Sequence, residues 1–537
     1  MRMQLLDKAM KMGKASATGS MHLFIGKIVS TLMLTFSSII VGLFINEGDY
    51  GLYVIAVVPV TTFLLFQDWG VASAVTKYCA SYRADKREDE LRSIIVSGLT
   101  FKAITGLTLT ILSLLTANFL ASTIFNNIET LLLITIVSVT IFFQSVYSAC
   151  QAVFVGFERM ELSTVTMIVS ASVQGILSAL LVYLGFGALG TAIGYTVALV
   201  LAGITALMLL YFQIFRKLPK KTLKKEKKFQ MLKPLLRYGL PLSIGTLIGG
   251  ILPQVNQFLM ASSASLEMIG NYRIATNFAV FLAFFLLPIN TVLFPAFSKI
   301  NPSSDKQLLK TIFASSIKYS SLFLVPATIA LMVLSAPLIK TIYPGKWLSA
   351  PLFLTLAVIV QLLVLLGNLS YSRLLAATGE TTFLMKLNIL SLCIGVLLAF
   401  LLIPPYGILG VIVVSIFAGI PGSIIGLYWT WKRFEIKADF KNSARIFLAS
   451  TFAGIVTYLL INTFVVADWV LLTTGAILFL IIYTISLSLF GAINKMDIRN
   501  LRVMFSELGL ISNLLQILLT LIEKPLIIKE KLSRLRK

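Results

Sequence analysis

The stretch MHLFIGKIVSTLMLTFSSIIVGLFINEGDYGLYVIA, residues 21–56, holds an apolar segment of helix length, a short acidic turn and the start of a second apolar segment. It returns 219 positions later without a gap: Leu23, Ile25, Gly26, Gly51, Tyr53, Ile55 and Ala56 meet Leu242, Ile244, Gly245, Gly270, Tyr272, Ile274 and Ala275. Downstream, Gly187-Ala-Leu-Gly190 becomes Gly407-Ile-Leu-Gly410 at an offset of 220. The register therefore holds to within a residue across a whole repeat unit, and the chain reads as a duplicated membrane protein.

Working outward, 58% hydrophobic and only 12% charged residues, with a mean hydropathy of +0.93, exclude a water-facing surface around an ordinary core. Spans need about 20 mostly apolar residues. Fourteen such segments are expected, near 22–45, 50–71, 94–121, 130–155, 164–185, 188–213, 239–261, 270–297, 312–337, 349–375, 383–404, 407–431, 443–466 and 469–493. The fold class is thus an all-α polytopic membrane protein in which helices one to six pair with seven to twelve. Six is even, so both copies enter the membrane from one side and relate by an axis along its normal. The expected divisions are an N-terminal six-helix lobe (1–215), a basic linker (216–237), a second six-helix lobe (238–436), helices thirteen and fourteen (437–495) and an amphipathic tail (496–537). The first apolar run has no small-residue cleavage pattern and is expected to be retained.

A net charge of +23 could suggest nucleic acid, but its distribution gives another reading. Lys and Arg collect in the N-terminal arm, 77–92, 216–237, 299–310, 432–445 and the C-terminal tail, whereas the alternate loops 46–49, 126–129, 185–187, 404–407 and 467–468 contain none. Lys340, Lys346 and Arg273 are the exceptions. The asymmetry places both termini in the cytoplasm of a cell with this protein in its cytoplasmic membrane, and implies no nucleic-acid partner. The basic linker reads as a solvated tether facing membrane lipids, and Leu508–Ile522, too short to span, as an interfacial helix. Cys79, Cys150 and Cys393 are far apart in sequence, with no CxxC and no nearby His, so neither a disulfide framework nor a metal site is read from them.

Polar residues inside an apolar span are costly and mark candidate sites. Lys27 lies about six residues into helix one and Arg273 begins the repeat of helix two. Each either snorkels to the nearer interface or lines a cavity and holds an anionic headgroup, Arg as a fork and Lys as a point charge. Helix seven carries Pro241, Gly245, Gly249, Gly250, Pro253, Gln254, Asn256 and Gln257, and Asn277, Pro288, Asn290 and Pro295 continue this character in helix eight. Its amides either bond neighbouring helices or contact a polyhydroxylated ligand. Asp68, Glu158, Glu161 and Glu380 lie near cytoplasmic ends, so no carboxylate is expected in the middle third of a span, and His22 reads as interfacial. No Gly-rich phosphate loop, DxD pair or HExxH is present and no external loop could form a catalytic domain, so neither an enzyme nor a cofactor is expected.

Gly51-Leu-Tyr53, then Asp68-Trp-Gly70 with Lys77-Tyr78, and Gly156-Phe-Glu-Arg159 after helix four resemble motifs of prokaryotic polysaccharide-export flippases. The second copy departs from them, with no acidic counterpart of Asp68 near Asn290 and only Gly379-Glu380 answering Glu158-Arg159. The resemblance covers roughly residues 10–495 and implies the multidrug/oligosaccharidyl-lipid/polysaccharide exporter superfamily. Its members fold as two six-helix lobes around a central cavity, with two extra helices in some lipid flippases. It implies that Lys27 and Arg273 face that cavity, and the tail resembles that of archaeal members. The expected function is flipping of a lipid-linked oligosaccharide on a polyprenyl phosphate or pyrophosphate by alternating access. Lys27 and Arg273 would hold the headgroup, and Gln254, Asn256, Asn277 and Asn290 the sugars; ion coupling is left open. The rivals are a multidrug antiporter on the same fold, a membrane glycosyltransferase or polymerase, and a membrane scaffold without a transported ligand.

Overall fold

The computed structural model describes the backbone of residues 2–219, 231–298, 300, 305–506, 516, 519–520 and 523, and the side chains of those residues except 2–20, 283–296 and 503–506. Helices are the only regular structure among them. The first repeat begins with α1 (Arg2–Phe44) and α2 (Glu47–Leu65), joined by the acidic turn; Glu47 and Asp49 lie in the first turn of α2, where the helix dipole favours negative charge. A second acidic first turn, Glu88-Asp-Glu90, opens the long α4 (Glu88–Phe119), which closes in a π-helical turn at Leu120–Ile124. Three spans follow: α5 (Thr130–Gly156), α6 (Met160–Tyr183) and α7 (Gly187–Gln213).

The segment expected as one helix over 50–71 continues further and is broken. After α2 the chain turns through residues 66–70, where Trp69 (φ 50°) and Gly70 (φ 71°) are both left-handed, and resumes as α3 (Val71–Ala84). A second discontinuity falls on the span expected at 349–375. There α12 (Ala350–Ala357) passes through a tight 3-10 stretch to Gly367 (φ 71°), and α13 (Asn368–Ala377) leaves at 54° to it. Helix seven of the sequence is by contrast one continuous element, α8 (Leu232–Ser263), which runs through Pro241 and Pro253. Neighbouring groups in a membrane protein can satisfy the backbone that an internal proline frees.

Twelve helices of the described residues are long and apolar enough to cross a membrane, and thirteen if the bent pair is one span. The expected fourteenth falls on α9 (Leu266–Ser298), part of which lies outside the described residues. The remaining elements are α10 (Lys306–Val333), α11 (Ser335–Ile342), α14 (Thr381–Tyr406), α15 (Ile408–Phe417), α16 (Ile420–Phe434), α17 (Phe440–Thr463), α18 (Asp468–Leu489) and α19 (Lys495–Ser506). The linker residues 220–230 and most of Leu508–Ile522 also lie outside the described residues.

The chain forms two compact units, Met1–Ile274 with Ala399–Ile408, and Ala275–Leu398 with Leu409–Lys537. In the first, α1 packs on α6 through small residues, Gly26 against Thr164 and Ser37 against Gly175. Such close approach replaces the hydrophobic drive that lipid does not supply. Its core joins Val71, Ile94, Ile95, Val146, Phe154 and Leu235. In the second unit Phe313, Ile317, Leu374 and Leu375 form the core, and Ser316 Oγ donates to Ser370 Oγ over 2.7 Å.

The second unit also holds an ion pair that the sequence did not suggest. Lys318 Nζ on α10 lies 2.6 Å from Asp497 Oδ2 on α19, with the two side chains only 14% and 10% exposed. The amide of Asn494 donates to the same carboxylate. Removing one partner of a buried pair strands the other charge. Asp497→Asn should therefore lower the thermal midpoint of purified protein, by the equivalent of about 3 kcal/mol, whereas Lys318→Met with Asp497→Leu should recover most of the loss. An unchanged midpoint in the single variant would contradict the pair's anchoring of α19.

Candidate functional site

Four contacts run along one line in the first unit, between α2–α3 of the first repeat and α8–α9 of the second. At the Glu47 end, a Cβ on Gly51 would collide with the backbone carbonyl of Leu266. Asn271 Nδ2 donates to Glu47 Oε2 over 2.7 Å beside it. Midway, the hydroxyls of Thr61 and Thr62 both donate to Gln254 Oε1 at 3.1 Å, and Gly250 leaves room for Leu65. At the Lys/Arg-rich end, Gly70 and Gly239 meet backbone to backbone, and a side chain on either would strike the other. Just beyond, Lys77 Nζ sits 3.9 Å from the centre of the Tyr238 ring, which also meets Tyr78 edge-on. Glycine at three of these points is what permits helices to touch without side chains between them.

The expected site residues fall around this line unequally. Gln254 is on it, oriented by the two threonines. Asn256, two residues on, is buried, and its Oδ1 has no hydrogen-bond partner among the described residues. Arg273 is exposed, and its charge acts on the phenols of Tyr53, Tyr195 and Tyr272. Those rings belong to a group the sequence reading missed: Tyr50 stacks on Tyr53 with centroids 6.2 Å apart, and Tyr53 meets Tyr195 edge-on. Lys27 is exposed on α1, on the flank of the face that packs on α6. Asn277 is partly buried and belongs to the second unit. Asn290 lies outside the described residues, as do Pro288 and Pro295.

The two cations are not brought together. Phe44 ends α1 where α2 begins, so Lys27 lies seventeen residues, or about 26 Å, from that end. Arg273 is near Tyr53, only six residues, or about 9 Å, from it. About 17 Å along the bundle therefore separates them, too far for one phosphate to touch both.

Motif residues gather instead at the α2–α3 joint. Asp68 Oδ1 accepts from the amide of Ala72 at the start of α3, and Ser145 on α5 donates to Gln67 Oε1 over 2.7 Å. Gly156 lets α5 close on Cys79 and Thr76, while Arg83 donates to the carbonyl of Phe157 and pairs with Glu158 at 3.8 Å. A further cation was missed by sequence reasoning. Lys102 on α4 is only 1% exposed, and its Nζ lies 2.6 Å from Asp68 Oδ1.

A bundle of long apolar helices, all-helical among the described residues, defines a multi-pass membrane protein. The chain belongs to the polysaccharide biosynthesis protein family, whose model matches residues 16–301, more than half of its length. An uncharacterized membrane protein of Methanocaldococcus jannaschii is 21% identical over 385 residues, 70% of this chain and 75% of that protein. The lipopolysaccharide biosynthesis protein WzxC of Escherichia coli is 31% identical over 157 residues, 29% of this chain and 31% of WzxC. Among solved structures, the lipid II flippase MurJ in an inward closed conformation superposes with a TM-score of 0.68 at 16% identity, covering 87% of this chain and 98% of that one. An inward-facing multidrug resistance transporter of the MATE family gives 0.62 at 17%, covering 76% and 98%. At these identities the likeness is one of fold.

The seam makes a direct prediction. Gly51→Val should force α2 away from Leu266, so that a cysteine placed at Tyr50 reacts several-fold faster with a membrane-impermeant maleimide than it does without the wedge. Equal rates would mean that the Glu47-end contact does not close the seam.

Proposed function

We propose that this protein carries a lipid-linked oligosaccharide from the cytoplasmic to the outer leaflet of the cytoplasmic membrane. In this reading the repeats 1–215 and 238–436 act as two lobes, with residues 437–495 as an added helix pair and both termini in the cytoplasm. Alternating access consists of parting α2 from α8, first at the Gly70–Gly239 end and then at the Gly51–Leu266 end. The observation that carries the reading is this seam, polar in its middle and closed by backbone contact at both ends, in a chain of the polysaccharide biosynthesis family.

The physical problem is the glycan. Each hydroxyl taken into hydrocarbon without a partner costs about 2–7 kcal/mol. A wet path bordered by α1, α2 and α8 avoids that cost while the polyprenyl tail stays in lipid. Lys27 lies near the cytoplasmic end and meets the phosphate or pyrophosphate first. Arg273, about 17 Å further along, receives it near the outer end. The cations thus serve as successive stations rather than one clamp. Gln254 and Asn256 offer amides to the sugar between them.

The rival is a multidrug antiporter, which the MATE-like fold fits equally well. The decisive variants are Lys27→Ala and Arg273→Ala. Each alone should reduce, and the two together abolish, rescue of a flippase-deficient strain by this protein, with membrane abundance unchanged. Full rescue by the double variant, or drug resistance conferred by the wild type without rescue, would overturn the reading. Arg273→Lys should restore only part of the function, since an ammonium cannot replace a bidentate fork.

A further inference from the structure

Pro326 lies inside α10, buried in the second unit. A proline has no N–H to give to the carbonyl four residues back, and its ring crowds that carbonyl. In α10 the carbonyl is that of Leu322, and the donor it meets comes from another helix. The buried hydroxyl of Tyr483 on α18 donates to Leu322 O over 2.8 Å. Bonds of this kind from a neighbour are what allow a proline inside a membrane span. The phenol is held in place, with Phe479 stacked on its ring and Ser450 of α17 hydrogen-bonded to its oxygen. Ser450 has another partner, the Ile446 carbonyl at 2.8 Å, so Leu322 is the group left short if the phenol is lost.

The two sides of Pro326 are fastened to different elements. On the Lys306 side, Ser316 donates to Ser370 of α13, a Cβ on Gly367 would strike Ile317, and Lys318 pairs with Asp497 of α19. On the Val333 side, the Met332 carbonyl accepts from Thr355 of α12, and a Cβ on Gly454 of α17 would strike Ile329. Between these anchors α10 packs on the tight 3-10 stretch 358–366 that joins α12 to α13. Two neighbouring helices thus depart from α-helical hydrogen bonding at one level of the unit, and such departures are where long helices bend.

We propose that this level is a hinge of the second unit and that the Tyr483 hydroxyl is its latch. While the phenol donates to Leu322, α10 keeps one bend at Pro326, and α12 and α13, each fastened to one side of it, keep their angle. When that bond opens, the Lys306 side of α10 turns with α13 and the Val333 side with α12. The pair α17–α18 is then a splint on α10, and Tyr483 is a positioning residue. The inference concerns the second unit alone and holds whatever the protein carries.

The test uses the full chain in lipid nanodiscs, with native cysteines replaced and spin labels at Lys310→Cys on α10 and Lys340→Cys on α11, exposed positions on either side of the proline. Tyr483→Phe keeps the ring and removes only the hydroxyl. It should widen the distance distribution about twofold, since a proline turn without the outside bond is free to kink. Pro326→Ala restores the donor within α10, so Pro326→Ala with Tyr483→Phe should be as narrow as wild type. A Tyr483→Phe distribution equal to wild type, or an equal widening with and without the proline, overturns the latch. Hydrogen exchange gives a second reading that does not need the proline variant. In Tyr483→Phe the amides next to Pro326 in α10 should exchange several-fold faster while those of α17 stay unchanged. Equal acceleration in both helices would mean a general loosening and would also overturn the latch.

Discussion

Everything in the first unit depends on how closely α2 and α3 can approach α8 and the start of α9. Hydrophobic burial does not favour one apolar helix pair over another when the solvent is lipid, so packing distance and a few hydrogen bonds decide. Gly51, Gly70 and Gly239 bring backbone against backbone, and Thr61, Thr62 and Gln254 supply the bonds between. Each contact is small, and a line of small contacts suits a seam that has to open and reclose.

Charge follows a second logic. Most of the 45 Lys and Arg residues lie in loops and tails, where they are solvated. The charges that enter the helical units are treated in two ways. Lys318 with Asp497 and Lys102 with Asp68 are paired within the protein. Lys27 and Arg273 stay exposed.

The fold was largely legible in the sequence because its main signals are long. Runs of apolar residues show the spans. Shorter features were not. Asp68-Trp-Gly70 looked like the end of a helix, since the polar stretch with Lys77 and Arg83 reads as a loop, yet Val71–Ala84 is a helix packed within the unit. The break in the tenth span depends on one left-handed glycine, Gly367, amid an unbroken apolar run. Lys102 lies within the expected span 94–121, but its partner lies 34 residues upstream and only folding joins them. The tyrosine group about Arg273 is drawn from three helices, and no linear motif announces it.

The central claim is that an anionic, sugar-bearing lipid crosses the membrane through this chain. It is tested most directly in proteoliposomes containing a fluorescent undecaprenyl-pyrophosphate oligosaccharide confined to the inner leaflet. With the protein present, the label should become quenchable by dithionite added outside, at a rate well above that of protein-free vesicles. A rate equal to that of empty vesicles, with the protein folded and inserted, would contradict the account.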